Sequence, residues 1–83
     1  MLKGKIRTQD FTAIVMPITD ELMTGDVVLS KRTNSLYVVA NFTFGIVVMR
    51  PLYKDHVSEA RIFTNPYNMD RQYWKVERWK YVW

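Results

Sequence analysis

The fold is decided by residues 25–50, which read GDVVLSKRTNSLYVVANFTFGIVVMR. Three apolar runs rich in β-branched residues, at 27–29, 36–42 and 46–49, are separated by two short breaks. Such residues fit best on the pleated surface of a strand, and short turn-forming breaks join antiparallel neighbours. The stretch therefore predicts a three-stranded antiparallel meander on which the rest of the chain packs.

Shorter elements are predicted on the N-terminal side of the meander. Residues 3–7 place Ile6 among basic side chains, which suits an edge strand whose charges face water and discourage further pairing. Residues 11–16 are mostly apolar and are followed by Pro17, which has no backbone N–H, so we expect a second strand that ends there. Residues 19–25, TDELMTG, have the capping residue, early acids and final glycine of a single helical turn.

Individual side chains in the middle of the chain also have expected positions. Asn34 should adopt a positive φ in the first turn of the meander, and Pro51 should end its third strand. Val38 lies within the most apolar run and is expected in the core. Leu22 and Met23, from the predicted helical turn, should pack beneath the sheet.

The C-terminal third is the hardest part to interpret. Residues 54–63 fit a turn followed by a short strand. Residues 72–83 contain all three tryptophans, and aromatic and β-branched residues favour a strand there, with Trp79, Tyr81 and Trp83 on one face. A helix is the alternative in both segments.

The strand pattern of residues 25–50 resembles that of SH3-like and KOW-like barrels in the order of its runs, their lengths and the tight turns between them. The resemblance implies a mainly β protein, a small antiparallel barrel of about five or six strands with one or two short helical turns. The 83 residues are expected to form a single domain, 1–83, because compact domains mostly run from about 50 to 250 residues. Many unrelated functions use this architecture, so it implies no particular activity.

The composition indicates the cellular compartment of the protein and which cross-links can stabilise it. It has no cysteine, which excludes disulfides and thiolate metal sites and suits a reducing compartment. No apolar run approaches the roughly 18 residues of a membrane span, and the N-terminus lacks the apolar segment of a secretory signal. We therefore expect a soluble cytoplasmic protein that does not contact a membrane.

The chain has no recognisable catalytic or cofactor motif. His56 is the only histidine, no glycine-rich phosphate loop is present, and no nucleophile has a base at a recognisable spacing. Asp20 and Glu21 are neighbours, but their side chains would point apart on a helical turn, whose positive end attracts acids. We expect a non-enzymatic protein with no cofactor and no bound metal.

Charge and aromatic residues support the leading functional hypothesis. The formal net charge is +4, and basic residues alternate with aromatic ones near the C-terminus. Basic side chains can follow a phosphate backbone while an exposed ring stacks on an unpaired base, so we expect contact with single-stranded or structured RNA or DNA. The candidate binding residues are Lys31, Arg32, Arg71, Lys75, Arg78, Trp79, Lys80 and Tyr81.

A protein partner is the alternative hypothesis. Tryptophan, tyrosine and arginine are enriched where interface energy concentrates, so the same residues suit an interaction module, such as a virus-encoded inhibitor or an adaptor of a larger cellular protein. A third interpretation is structural, with Trp79, Tyr81 and Trp83 filling the core of a small barrel. An exposed sheet edge would also permit a homodimer.

Overall fold

The chain folds into an antiparallel β-sheet with a short helix next to its last strand. The computed structural model describes residues 3–19, 22–43, 45–52, 62–65 and 68–82. In chain order the elements are β1 (Gly4–Arg7), β2 (Phe11–Met16), β3 (Val27–Ser30), β4 (Leu36–Thr43), β5 (Ile46–Pro51), β6 (Ile62–Thr64), α1 (Met69–Gln72) and β7 (Tyr73–Tyr81). The prediction of a mainly β protein is confirmed.

The last strand lies inside the sheet and joins its two halves. The strand order is β1-β2-β7-β3-β4-β5-β6, with antiparallel pairing throughout. β7 pairs with β3 through its first three residues and with β2 through most of the others, so it connects the N-terminal hairpin to the meander. Seven strands are described, against the five or six predicted. Within the described residues the sheet is open, with β1 and β6 at its edges, so the predicted SH3-like or KOW-like barrel is not confirmed.

The N-terminal and meander predictions agree with the structure. β1 is an edge strand from which Ile6 packs inward, and β2 ends directly before Pro17. The runs of the meander form β3, β4 and β5, and Pro51 is the last residue of β5. Asn34 has a φ of 55°, as expected for the residue that reverses the chain between β3 and β4.

The C-terminal segment is a strand rather than a helix. β7 covers most of the predicted range 72–83, and β6 agrees with the short strand expected near the end of segment 54–63. Residues 53–61, which include His56, and Trp83 lie outside the described residues. Within the described ranges, no helix has the length and apolar character that crossing a membrane requires.

The two faces of the sheet carry separate apolar clusters. The front cluster consists of the buried residues Leu22, Val28, Val39, Val47, Met49, Met69 and Tyr73. The back cluster consists of the buried residues Phe11, Ala13, Val15, Leu29, Leu36 and Val76. Neighbours in one strand divide between them, since Val28 belongs to the front and Leu29 to the back, as the alternation of a strand requires. α1 contributes Met69 to the front cluster, so the helix packs on that face.

The predicted core position in β4 is shifted by one residue. Val38 is only half-buried, whereas Val39 is 1% exposed and belongs to the front cluster. Val38 is opposite Val27 on one side and the exposed Arg50 on the other, so its face of the sheet is only partly covered there. The expectation that Val38 is a core residue is therefore wrong. In a strand that is apolar on both faces, the sequence does not reveal which of the two sets of alternate residues is more deeply buried.

The segment before β3 agrees with the prediction only in part. Residues 20–21 lie outside the described residues, so the helical turn predicted over 19–25 is not fully covered. Leu22 is buried as expected, but Met23 is 70% exposed, so its expected burial is wrong. The Met23 amide donates a 2.8 Å hydrogen bond to the Asp26 carboxylate, and this local turn holds the Met23 backbone while its side chain faces water.

Candidate nucleic-acid interface

A bulge in β7 determines which of its side chains share a face. Val15 of β2 is opposite Val76, but the residue before Val15 is opposite Arg78, so Glu77 is an extra residue in β7. An extra residue interrupts the alternation of a strand. Val76 and Trp79 consequently both pack on the back cluster although they are three residues apart, and Arg78 lies on the front face.

Basic side chains gather on the front face of β1, β2 and β7. The basic patch consists of the exposed residues Lys5, Arg7, Arg78 and Lys80. Between them β2 contributes Thr12 and Ile14, each directly opposite one basic residue of β1 and one of β7. Neighbouring strands lie about 4.8 Å apart, so basic side chains on the two sides of β2 start about 10 Å apart. Most of the patch lines a groove of about 430 Å³, which Ala13 and Trp79 also border.

Two residues of the basic patch, Lys5 and Arg7, are not among the binding residues predicted from the sequence. The sequence predicts ligand binding for Arg78 and Lys80, but for Lys5 and Arg7 it predicts only the protection of a sheet edge. The register of β1 on β2 brings the two pairs to the same face. The alternation of Lys5, Ile6 and Arg7 already placed both cations on one side of a strand, but nothing local indicated that this strand lies near the C-terminus.

One acidic residue borders the basic patch and is already paired. The Glu77 carboxylate lies 2.7 Å from the Lys3 ammonium. Its hydrogen bond to Lys3 and the positive charges of Lys3 and Arg78 hold the pKa of Glu77 below its ordinary value. Among the described residues, Asp10, in the turn between β1 and β2, is a second acid near this end of the sheet and is exposed. The patch therefore keeps a clear excess of positive charge.

Lys75 lies beside the basic patch rather than within it. It is opposite Met16 of β2 and Val28 of β3 and is half-buried. Its position on the front face follows from Val28, which belongs to the front cluster. A long lysine side chain can cover apolar surface with its methylenes while its ammonium reaches water. Lys75 therefore adds charge on the side of the patch nearest the front cluster.

The predicted stacking residues Trp79 and Tyr81 pack on the face of β7 opposite the basic patch, although Trp79 also borders the groove of the patch. Trp79 and Tyr81 are half-buried and pack against the back cluster, with their ring centroids 4.7 Å apart at 82°. This edge-to-face contact is a favourable arrangement for aromatic rings inside a protein. The basic and aromatic residues that alternate in the sequence are thus separated onto opposite faces of β7. The described geometry favours the core role of these two rings over base stacking.

Lys31 is held by contacts within the protein. Its ammonium lies 4.2 Å from the centre of the Trp74 ring and donates a 2.8 Å hydrogen bond to the backbone carbonyl of Asp70. Its backbone N–H donates to the carbonyl of Gln72 at 2.9 Å. These contacts attach the β3–β4 turn to α1, so Lys31 has a structural role that the sequence prediction did not foresee.

Arg32 and Arg71 lie at a second groove, which we name the Tyr73 groove. It has a volume of about 590 Å³ and is lined by Ser30, Lys31, Arg32, Thr33, Tyr37, Arg71, Gln72 and Tyr73. The rings of Tyr37 and Tyr73 meet edge to face with centroids 6.2 Å apart. Burial, together with Tyr37, raises the pKa of Tyr73, so this phenol stays protonated beyond its ordinary range. The predicted binding residues therefore belong to two separate regions rather than one.

Two further acids among the described residues accept hydrogen bonds from backbone amides. Asp70 accepts a 3.0 Å hydrogen bond from the Ile18 amide, and Asp26 accepts the one from Met23. Among the described side chains, no group of three or more His, Cys, Asp or Glu residues is arranged to hold a metal ion.

Comparisons with protein-family models, with curated proteins and with solved structures find no match to this chain.

Proposed function

We propose that this chain is a non-enzymatic nucleic-acid-binding protein that contacts the phosphate backbone of RNA or DNA through the basic patch. The observation that carries the proposal is the convergence of Lys5, Arg7, Arg78 and Lys80 from two strands distant in sequence. Four exposed cations on one face attract the negative charges of a polyanion, and the sheet holds these cations at a fixed spacing. Lys75 extends the positive region.

The expected binding mode is dominated by phosphate contacts. Trp79 and Tyr81 pack on the back cluster, which supports a mode in which base stacking by these rings has little part. Phosphate contacts carry no sequence information, so the protein should bind different sequences with similar affinity. If each of the four patch residues neutralises one phosphate, log affinity should fall against log salt with a slope of about −3 on single strands, at about 0.7 per contact.

Direct binding in graded salt tests the proposal. Fluorescence anisotropy of labelled single-stranded and duplex oligonucleotides should show binding that weakens steeply from about 50 to 200 mM salt. Replacing Arg78 or Lys80 by Ala should lower the affinity for all sequences and reduce the slope by about 0.7 to 0.9.

Arg50→Ala is the matched control, because Arg50 is an exposed cation of β5, away from the basic patch. It should leave affinity and slope close to those of the parent protein. Equal losses for Arg50→Ala and Arg78→Ala would show that only net charge matters. The absence of salt-dependent binding to any of the oligonucleotides would remove the proposal.

A protein partner is the second candidate, supported by exposed apolar side chains at the tip of the β4–β5 hairpin. Phe42 is 42% exposed and Ile46 38% exposed. Large apolar residues on a surface are typical of protein interfaces. If the oligonucleotides do not bind, substitution of Phe42 and Ile46 becomes the test of whether an inhibitor or adaptor role explains this chain.

A further inference from the structure

We infer that a bound nucleic-acid strand is held at two anion sites, the basic patch and the Tyr73 groove, so that tight binding needs a strand long enough to reach both. The inference rests on the proposed function and adds the second site and the length requirement. It follows from where β7 places its two ends, from the chemistry of the groove, and from the protein segment that lies between the two sites.

Both sites open on the same side of the sheet. Tyr73, at the start of β7, belongs to the front cluster and lines the groove. Arg78 and Lys80, near the end of β7, are on the front face because Glu77 interrupts the alternation. In a regular strand, residues five apart, such as Tyr73 and Arg78, would lie on opposite faces. The bulge therefore allows one polyanion to contact both sites without passing round the sheet.

The Tyr73 groove has the chemistry of a phosphate site. Arg32 and Arg71 are exposed at its border, and among the described residues neither guanidinium has an ion-pair partner. A guanidinium presents paired N–H donors that match two phosphate oxygens. Thr33 adds a hydroxyl to the lining. The groove thus offers two charged donors and at least one neutral donor to an anion.

A crossing segment keeps the two sites apart. After β2 the chain passes through Pro17 to Ile18, whose amide is hydrogen-bonded to the Asp70 carboxylate at the start of α1. This crossing places an acid, Asp70, near the path between the patch and the groove. Lys75 also lies on the front face between the two sites, but it is half-buried, and Asp70 opposes its charge. The middle therefore attracts a phosphate less than the two ends do, so a strand would be held mainly at the ends.

The separation predicts how long the strand must be. Tyr73 and Lys80 are seven residues apart, which corresponds to at most about 23 Å at about 3.3 Å per strand residue. A stacked strand advances about 3.4 Å per nucleotide and an unstacked one more, so at most about seven nucleotides are needed to span the sites. Once one site is occupied, the second binds at a high effective concentration, and affinity should rise abruptly at that length.

The test uses single-stranded oligothymidylates from about 3 to about 15 nucleotides. We expect the affinity of the parent protein to rise by at least about tenfold between lengths too short to reach both sites and lengths that can. The double variant Arg32→Ala/Arg71→Ala should lose that rise and bind short oligomers as the parent does. Its salt slope on long oligomers should fall by about 1.4, or 0.7 for each lost phosphate contact.

Arg50→Ala again serves as the control, and melting temperatures show whether each variant is folded. A smooth increase of affinity with length that Arg32→Ala/Arg71→Ala does not change would overturn the two-site inference and leave the proposed function standing. If no oligothymidylate of any length binds, both fail. Binding that depends on Arg32 and Arg71 but not on Arg78 or Lys80 would retain the groove alone and also overturn the two-site inference.

Discussion

The two faces of β7 have opposite chemistry although their residues alternate in the sequence. On the back face, Trp74, Val76, Trp79 and Tyr81 pack on an apolar cluster that includes β2 and β3. On the front face, Arg78 and Lys80 are exposed beside the cations of β1. From Val76 onward, β7 therefore has a stabilising back face and a charged front face, whereas at its start Tyr73 belongs to the front cluster. Interleaving of basic and aromatic residues in a sequence does not mean that they meet in one binding site.

Residues on the back face of β7 should contribute to folding, whereas the exposed cations on its front face should contribute only to binding. In a β-strand the separation follows from the two-residue period, but a single inserted residue shifts it. Glu77 is such a residue. The substitutions below test whether the two faces are as independent as their geometry implies.

The largest effect is expected in the back cluster. Leu29 is fully buried and lies between Leu36 of β4 and Trp74 of β7. Leu29→Ala should lower the free energy of unfolding by about 2 to 5 kcal/mol, because a cavity is left beside the lost methyl groups. Urea unfolding measures the change. Met23→Ala is the control and should stay within about 0.5 kcal/mol, since Met23 is 70% exposed.

Trp79 and Arg78 are neighbours on opposite faces of β7, so their loss should affect different properties. Trp79→Ala should cost about 2 kcal/mol of stability, less than the 3 to 5 typical of a fully buried aromatic, and leave the affinity of the folded protein for oligonucleotides unchanged. Arg78→Ala should do the reverse, with stability within about 0.5 kcal/mol and weaker binding. If Trp79→Ala weakens binding while thermal unfolding is unaltered, the ring is a stacking platform and the separation of the faces fails.

Alkaline pH should weaken the front cluster through Tyr73. Its pKa is raised mainly by burial and also by Tyr37. The unfolded phenol ionises near its ordinary pKa of about 10, before the folded one does, so the contribution of Tyr73 is complete below that pH and is lost as pH rises through the folded pKa. Unfolding measured from about pH 8 to 11 should show a steeper decline for the parent than for Tyr73→Phe. Equal declines would contradict the assignment.

The smallest effect is expected at the border of the basic patch. Glu77→Gln breaks the pair with Lys3, and because both groups lie at the surface, where water and salt screen the charges, stability should change little. Because the pKa of Glu77 is lowered in the folded protein, the contribution of the pair is present above the ordinary range of a glutamate and is lost as pH falls through the lowered value.

The two halves of this pair should have opposite effects on binding. Glu77→Gln removes an acid and frees Lys3, so oligonucleotide affinity should increase and the salt slope should become steeper by up to about 0.7 on single strands. Lys3→Ala breaks the same pair without that gain. If both variants change affinity in the same direction, the acid does not border the binding surface.

Local residue patterns were sufficient for much of the strand assignment. The β-branched runs predicted β3, β4 and β5, Pro17 marked the end of β2, and aromatic density favoured a strand for β7. Asn34 was identified as the residue of positive φ from its side chain and its place in a turn. These predictions succeeded because steric preference and alternation act over a few residues.

The arrangement of the candidate site could not be predicted in the same way. Lys31 contacts Trp74, and Lys5 and Arg7 lie near Arg78 and Lys80, through pairings between residues far apart in the chain. No local pattern specified that β7 would insert between β2 and β3. The charges were visible in the sequence, but their neighbours were not.

The sequence by itself determined the mainly β character of the chain, its strand-forming runs and its excess of positive charge, because these depend on residue type and short-range spacing. Only the tertiary structure decided that β7 lies within the sheet, that Val39 rather than Val38 is fully buried, and that the bulge at Glu77 aligns its cations with those of β1. Strand order and register depend on the fit between distant segments, where a shift of one residue exchanges the two faces.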